Sequence, residues 1–111
     1  MVIYQHARQL DALGDPTRRA ILERLLDGPQ PVGELARGFT VTRPAISQHL
    51  TVLKEAGLVS ERRNGTRRLY QARPQGLQEL REFLDGFWDE RLDALRREAE
   101  RKEATKRGRN H

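Results

Sequence analysis

The dipeptide Asn64-Gly65 lies between two short runs that are typical of β-strands, residues 59 to 63 and 66 to 72. Asn-Gly is the preferred pair at the centre of a two-residue hairpin turn, because both turn residues there need a positive φ angle. Pro74 stops the second strand. The sequence therefore predicts one β-hairpin, and the rest of the chain has the spacing of helices.

Two helices are predicted before residue 30. Apolar residues at helical spacing indicate the first over residues 2 to 13. Asp15 is typical of an N-cap and Pro16 of a first helical turn, so a second helix begins there, and Gly28 ends it. The predicted buried stripe of the second helix is Ile21, Leu22, Leu25 and Leu26.

Two further short helices follow, with a tight turn between them. The third begins at Pro31, and Thr42 is a suitable N-cap for the fourth. Gly57 suits the left-handed position just beyond the fourth helix, with Leu58 folding back towards Leu53 in a Schellman ending. After the hairpin, one long helix carries an apolar stripe over about five turns.

The predicted element order is α-α-α-α-β-β-α. This order describes a mainly α fold, a winged helix-turn-helix with a small β-hairpin wing. With 111 residues there is room for one domain, which we place at residues 1 to 104, with dimerisation helices at both ends. Residues 105 to 111 form a basic tail that we expect to be disordered.

The predicted fourth helix, residues 43 to 55, is a candidate DNA-reading helix, because the second helix of such a motif enters the major groove. Its outward face has no carboxylate before Glu55, whereas a merely solvated face usually mixes charge signs. The alternative is an amphipathic helix with an ordinary polar face. The side chains that suit base edges and phosphates are Arg43, Ser47, Gln48, Thr51 and Lys54.

The predicted hairpin is strongly basic: from Ser60 to Arg73 there are five arginines against the single acid Glu61. The whole chain carries a net charge of +5, which favours polyanions such as nucleic acid or an acidic membrane surface. The alternative is an edge strand that is kept charged to prevent aggregation. We expect phosphate or minor-groove contacts from a wing at residues 59 to 72, through Arg62, Arg63, Arg67 and Arg68.

Several segments together resemble the arsenic-repressor (ArsR) family of bacterial winged helix-turn-helix regulators. They are LGDPTRRAIL (residues 13 to 22), VGELA (32 to 36), RPAISQHL (43 to 50), LKEAGLV (53 to 59), RRLY (67 to 70) and PQGL (74 to 77). The likeness covers about residues 7 to 95, and it is specific because these segments occur in combination.

The resemblance implies a homodimer that binds a palindromic operator in double-stranded DNA and represses transcription. It assigns DNA contacts to the wing around Arg63 and Arg67, and on the fourth helix to Thr42, Arg43, Ser47, Gln48 and His49. It also places the dimer contacts on the first and last helices.

The apolar stripe of the last helix is larger than a domain of this size can cover, which predicts that a second copy of the chain covers it. Large aromatic residues would carry most of that binding energy. The alternative is that half of the stripe caps the core of the monomer. The predicted dimer interface consists of Leu84, Phe87, Trp88, Leu92 and Leu95, together with Ile3, Ala7 and Leu10.

Many members of the family sense metals through a cysteine pair, or through Asp and His residues of the last helix. This chain has no cysteine, and its histidines are His6, His49 and His111. We therefore expect no metal site and no cofactor, and we group the chain with the cysteine-free, non-metal-sensing members, whose small-molecule effector is often unknown. No triad or phosphate-binding loop is present, so we expect no enzyme.

The chain has no apolar run near the roughly 20 residues that span a bilayer, and its first residues do not resemble a signal peptide. We therefore expect a cytoplasmic protein with no membrane partner. Two other functions remain open. One is a ligand-responsive switch with a pocket between the terminal helices, and the other is an adaptor that binds protein instead of DNA.

Overall fold

Helices dominate the computed structural model, which describes the backbone of residues 2 to 109 and the side chains of residues 6 to 105. The elements are α1 (Val2–Leu13), α2 (Pro16–Leu26), α3 (Val32–Arg37), α4 (Arg43–Glu55), β1 (Val59–Asn64), β2 (Arg67–Ala72) and α5 (Pro74–Arg109). This order confirms the predicted winged helix-turn-helix. The described residues fall into two compact units, one up to residue 80 and one from residue 81.

The two predicted helix caps are confirmed by hydrogen bonds. The Asp15 carboxylate accepts a hydrogen bond from the backbone N–H of Arg18 at 3.0 Å, and Pro16 lies in the first turn of α2. This bond holds the pKa of the Asp15 carboxyl below its ordinary value. Thr42 caps α4 in the same way, since its hydroxyl oxygen accepts from the N–H of Ala45 at 3.3 Å. Both helices therefore begin where the sequence predicts.

The end of α4 is the predicted Schellman motif. The N–H of Leu58 donates to the carbonyl of Leu53 at 3.0 Å, and the N–H of Gly57 donates to the carbonyl of Lys54 at 3.0 Å. Gly57 has a φ of +76°, which glycine adopts at little cost. Because Leu53 and Leu58 are both fully buried, this motif anchors the end of α4 in the core.

The first turn of α5 packs directly on this motif. A Cβ atom on Gly76 would overlap the carbonyl oxygen of Gly57, so only glycine fits there without a backbone shift. The N–H of Arg73 donates to the carbonyl of Leu58 at 2.9 Å, and the buried Gln9 side chain donates to the carbonyl of Gly76 at 3.4 Å. The end of α4, the start of α5 and α1 therefore meet at one point.

The core of the unit that ends at residue 80 lies between α2, α3 and α4. Its buried cluster consists of Ala12, Ile21, Leu22, Leu25, Leu35, Ile46, Leu50, Leu53, Ala56, Leu58 and Val59. Leu26 was also expected inside, and that expectation is wrong, because Leu26 is 59% exposed. Leu22 and Leu25 occupy the inward side of the last turn of α2, so the next residue lies on its outer side. In α4, the buried residues Ile46, Leu50 and Leu53 face the core, so the opposite surface of the helix is exposed to solvent.

The hairpin turn lies one residue later than predicted. β1 and β2 are antiparallel, and their register sets Asn64 opposite Arg67, so the two turn residues are Gly65 and Thr66. Gly65 has a φ of +67°, and no described residue other than glycine has a positive φ. The predicted Asn64-Gly65 turn would need two positive φ angles. A turn with glycine in its first central position needs a positive φ angle at that glycine only, so the second turn residue can keep a negative φ.

α5 continues past residue 104, the predicted end of the domain. The helix runs to Arg109, so the described backbone of residues 105 to 109 is helical. Ion pairs at helical spacing line it, including Arg96 with Asp93 at 3.4 Å and Arg101 with Glu98 at 3.0 Å. Such pairs stabilise an exposed helix by a few tenths of a kcal/mol each, roughly 0.2–0.5. The alternation of acids and bases therefore favours a longer helix than the basic composition alone suggests.

Candidate nucleic-acid interface

The outer face of α4 presents the side chains that suit base and phosphate contacts. Ile46, Leu50 and Leu53 fix the inner face in the core. The exposed candidate residues at the cap and along the helix are Thr42, Arg43, Gln48, Thr51 and Lys54, and Ser47 is half-buried among them. The structure thus brings together on one helix surface most of the candidates that the sequence predicts.

Two hydroxyl groups of this face are already engaged. The hydroxyl oxygen of Thr42 accepts the capping bond from Ala45. The hydroxyl of Thr51 donates to the carbonyl of Ser47 at 3.0 Å. Thr42 therefore retains a donor, and Thr51 retains its lone pairs as acceptors.

His49 is half-buried, and its ring contacts a side chain of α2. Its Nδ1 lies 3.4 Å from a guanidinium nitrogen of Arg18, which has donors only, so Nδ1 is the acceptor. The same guanidinium donates to the carbonyls of Ala12 at 2.7 Å and Asp11 at 3.2 Å. These bonds tie α4 to the end of α1, and they engage a ring nitrogen of a residue that the family resemblance assigns to DNA.

Lys54 is joined to the hairpin by an ion pair that the sequence analysis did not predict. Its ammonium lies 2.8 Å from a carboxylate oxygen of Glu61 in β1. The hydrogen bond from Lys54 is the main cause that lowers the pKa of the Glu61 carboxyl, with a smaller contribution from the Tyr70 hydroxyl. Burial, reinforced by the charge of Glu61, raises the pKa of Tyr70. The signal for this cluster was present in the sequence, since Glu61 is the single acid among the arginines of the hairpin.

Tyr70 holds the hairpin against the helices. Its side chain is half-buried against the core cluster. Its backbone exchanges two hydrogen bonds with Gln30, at 2.8 and 2.9 Å, in the loop between α2 and α3. The hairpin is therefore attached both to α4 and to the segment that precedes α3.

The four candidate arginines of the wing, Arg62, Arg63, Arg67 and Arg68, are all exposed. Arg63 and Arg68 lie directly opposite each other in the antiparallel pair. Like charges in directly opposed positions destabilise a hairpin, and an anion bound between them relieves that repulsion. Arg67 differs from the others, because its guanidinium lies 3.2 Å from a carboxylate oxygen of Glu34 in α3.

The candidate dimer residues of α5 form a partly exposed apolar surface. Phe87, Trp88, Leu92 and Leu95 are exposed and Leu84 is half-buried. The rings of Phe87 and Trp88 pack edge to face with centroids 5.4 Å apart, and the Arg91 guanidinium lies 4.8 Å above Phe87. The side chains of this apolar surface therefore pack on one another along α5.

Phe83 was missed in the sequence, although its spacing of four residues before Phe87 could have identified it. The two rings stack with centroids 6.2 Å apart. On α1, Ala7 and Leu10 are exposed as predicted for interface residues, whereas the side chain of Ile3 lies outside the described residues.

The described residues contain neither a metal-binding cluster nor a membrane-spanning helix. No group of three or more His, Cys, Asp or Glu side chains there is arranged to hold a metal ion. No described helix is long and apolar enough to cross a membrane. His111 lies outside the described residues.

Comparison with known proteins identifies relatives of this chain. The model of the arsR family of bacterial regulatory proteins matches residues 15–61, which include α2, α3 and α4. The HTH-type transcriptional regulator Rv2034 of Mycobacterium tuberculosis is 60% identical over 85 residues, which cover 77% of this chain and 79% of that protein. The transcriptional repressor SdpR of Bacillus subtilis is 40% identical over 76 residues, or 68% of this chain and 84% of that protein.

A solved structure is similar as well. It is a homodimeric winged helix-turn-helix DNA-binding domain from Mycobacterium bovis, a possible ArsR-family transcriptional regulator. Its sequence identity is 32%, its TM-score is 0.65, and the match covers 79% of this chain and 82% of that chain. This protein is therefore similar to a winged helix-turn-helix domain in both sequence and fold.

Proposed function

The chain belongs to the arsR family of bacterial regulatory proteins and is a DNA-binding transcriptional regulator, and on this basis we propose that it is a homodimeric repressor of a palindromic operator. Its relatives are regulators and not enzymes. The observation that carries the proposal is the outer face of α4, with exposed Arg43, Gln48 and Lys54, beside a wing with four exposed arginines. We place its action in the cytoplasm, where the DNA of a bacterium lies.

The proposed DNA contacts fall into two classes. Ser47 and Gln48 read base edges, since an amide pairs bidentately with adenine and a hydroxyl serves several bases. Arg43 contributes to both classes, because guanidinium groups bind guanine as well as phosphate. The proposed phosphate contacts, which set the register on the duplex, come from Thr42, His49, Thr51, Lys54, Arg62, Arg63, Arg67 and Arg68.

The proposed dimer is supported by the exposed aromatic surface of α5. An exposed Trp beside an exposed Phe is typical of the centre of a protein interface, not of a solvated helix. The similar Mycobacterium bovis domain is itself homodimeric. The proposed interface is formed by Leu84, Phe87, Trp88, Leu92 and Leu95 with Ile3, Ala7 and Leu10. A dimer presents two copies of α4 to half-sites about 34 Å apart, one turn of DNA, which requires an inverted repeat.

Repression is proposed because SdpR, at 40% identity, is a transcriptional repressor. A bound dimer blocks access to the DNA that it covers. Since this chain has no cysteine, we propose that release from DNA does not use a thiolate metal site.

The division between base and phosphate contacts predicts different effects for two alanine variants. Gln48→Ala is expected to weaken binding to the best site by about 1–3 kcal/mol and to leave binding to random duplex unchanged. Arg63→Ala is expected to weaken binding to both DNAs equally and to reduce the slope of log affinity against log salt by roughly 1. Fluorescence anisotropy with labelled duplexes at several salt concentrations measures both.

The matched control is Arg97→Ala, which removes the same charge from an exposed position of α5 that is not among the proposed DNA contacts. It is expected to leave both affinities close to those of the original chain. Equal losses on the best site and on random duplex for both Gln48→Ala and Arg63→Ala would refute the division of roles.

A further inference from the structure

A cleft of about 510 Å³ lies between the start of α3, the start of α4 and the start of β2. Four exposed arginines line it: Arg37, Arg43, Arg67 and Arg68. The one acid in its lining is Glu34. Such a concentration of guanidinium groups makes the cleft an anion site, and a carboxylate of the chain itself lies within it.

The Glu34 carboxylate occupies this cleft through an exposed ion pair. Its Oε1 lies 3.2 Å from Nη2 of Arg67, and the two side chains are 53% and 60% exposed. Arg43 lines the same cleft, and its Cζ atom is 4.0 Å from the place where a Cβ of Gly33, the neighbour of Glu34, would lie. An exposed pair of this kind is weak, and its partners exchange easily with other ions.

A carboxylate and a phosphate bind a guanidinium with the same geometry, through two oxygens side by side. Building on the proposed function, we propose that Glu34 is an internal counterion of the DNA site. In the free protein its carboxylate neutralises Arg67, and in the complex one DNA phosphate takes its place.

This exchange reduces binding to DNA of any sequence, because Arg67 must give up one partner before it gains another. A lower affinity for random DNA matters for a regulator, since the genome offers very many competing sites. The second carboxylate of the interface behaves differently. Glu61 is only 27% exposed and is shared between Lys54 and Tyr70, so its ion pair persists in the complex.

The test is the affinity of the full chain for a random-sequence duplex, measured by anisotropy at several salt concentrations. Glu34→Gln keeps the shape of the side chain and removes its charge. It is expected to raise the affinity about 2- to 5-fold, the size of one exposed ion pair. The slope of log affinity against log salt is expected to stay close to that of the original chain, because Arg67 neutralises the same single phosphate in both proteins. The control is Glu23→Gln, the same charge change at an exposed position of α2.

A double-mutant cycle with Arg67→Ala identifies the partner through which Glu34 acts. In the Arg67→Ala background, Glu34→Gln is expected to have no effect. A gain that persists in that background, or that Glu23→Gln reproduces, would overturn the proposal in favour of net charge alone. A loss of affinity in Glu34→Gln would overturn it as well, because Glu34 would then position Arg67 for the phosphate.

The outcomes for the unsubstituted chain separate this inference from the proposed function. If the chain binds no DNA, or if Arg67→Ala and Arg63→Ala both bind as well as it does, the proposed interface fails. If these controls behave as expected and Glu34→Gln changes nothing, only the role of Glu34 is refuted.

Discussion

Alanine in place of Gly76 is expected to lower the free energy of unfolding by about 2 kcal/mol or more. The new Cβ would overlap the carbonyl oxygen of Gly57, and that oxygen belongs to backbone, not to a flexible side chain. Gly57 cannot yield easily, because its positive φ and the Schellman hydrogen bonds of Leu58 fix the end of α4. Denaturation in urea at one protein concentration measures the change.

Gly86→Ala is the matched control, since Gly86 is in the same helix and has nothing within 4 Å of the place of its Cβ. There the higher helix propensity of alanine is expected to raise the free energy of unfolding by up to about 1 kcal/mol. Opposite signs for the two alanine variants support the close contact between α5 and the end of α4. A destabilisation by Gly76→Ala no larger than a few tenths of a kcal/mol, near 0.3, would contradict it.

Trp88→Ala is expected to weaken the homodimer by about 2 kcal/mol or more, which is roughly a 30-fold rise in the dimer dissociation constant. Trp88 is half-exposed in the single chain and packs edge to face on Phe87, so a partner would bury much of its ring. Sedimentation equilibrium measures the constant directly. Binding to an inverted repeat is expected to weaken in parallel, because a monomer contacts only one half-site.

Two leucine variants provide the control for this prediction. Leu92, in the proposed interface, is 54% exposed, and Leu26, at the end of α2 and outside it, is 59% exposed. Leu92→Ala is expected to weaken the dimer, and Leu26→Ala, which removes the same side chain at almost the same exposure, is expected to leave it unchanged. A dimer that survives both Trp88→Ala and Leu92→Ala would show that another surface holds it together.

The parts of the fold that were predicted correctly are those encoded within a few residues of sequence. The caps at Asp15 and Thr42 each depend on a side chain that bonds a backbone N–H three residues ahead. The Schellman ending at Gly57 is equally local. The hairpin turn was placed one residue early, because Asn64 and Gly65 both suit a turn and only the strand register decides between the two possible pairs.

The interface was predictable as a set of residue types and not as a set of contacts. The exposed positions of α4 follow from its helical period, so Arg43, Gln48 and Lys54 were found. The ion pairs of Lys54 with Glu61 and of Arg67 with Glu34 join different elements, and the second spans 33 positions of the chain. No sequence pattern of fixed spacing specifies such a pair, so it emerges only when the helices and the hairpin are assembled.

We propose that two copies of this chain read an inverted repeat through α4 and the wing. The most direct test is selection of binding sites by the purified protein from a pool of random duplex DNA, at two salt concentrations. We expect an inverted repeat whose half-sites lie about one helical turn apart, and binding that falls steeply as the salt concentration rises. Enrichment of no sequence, with weak binding that depends on salt alone, would contradict the claim.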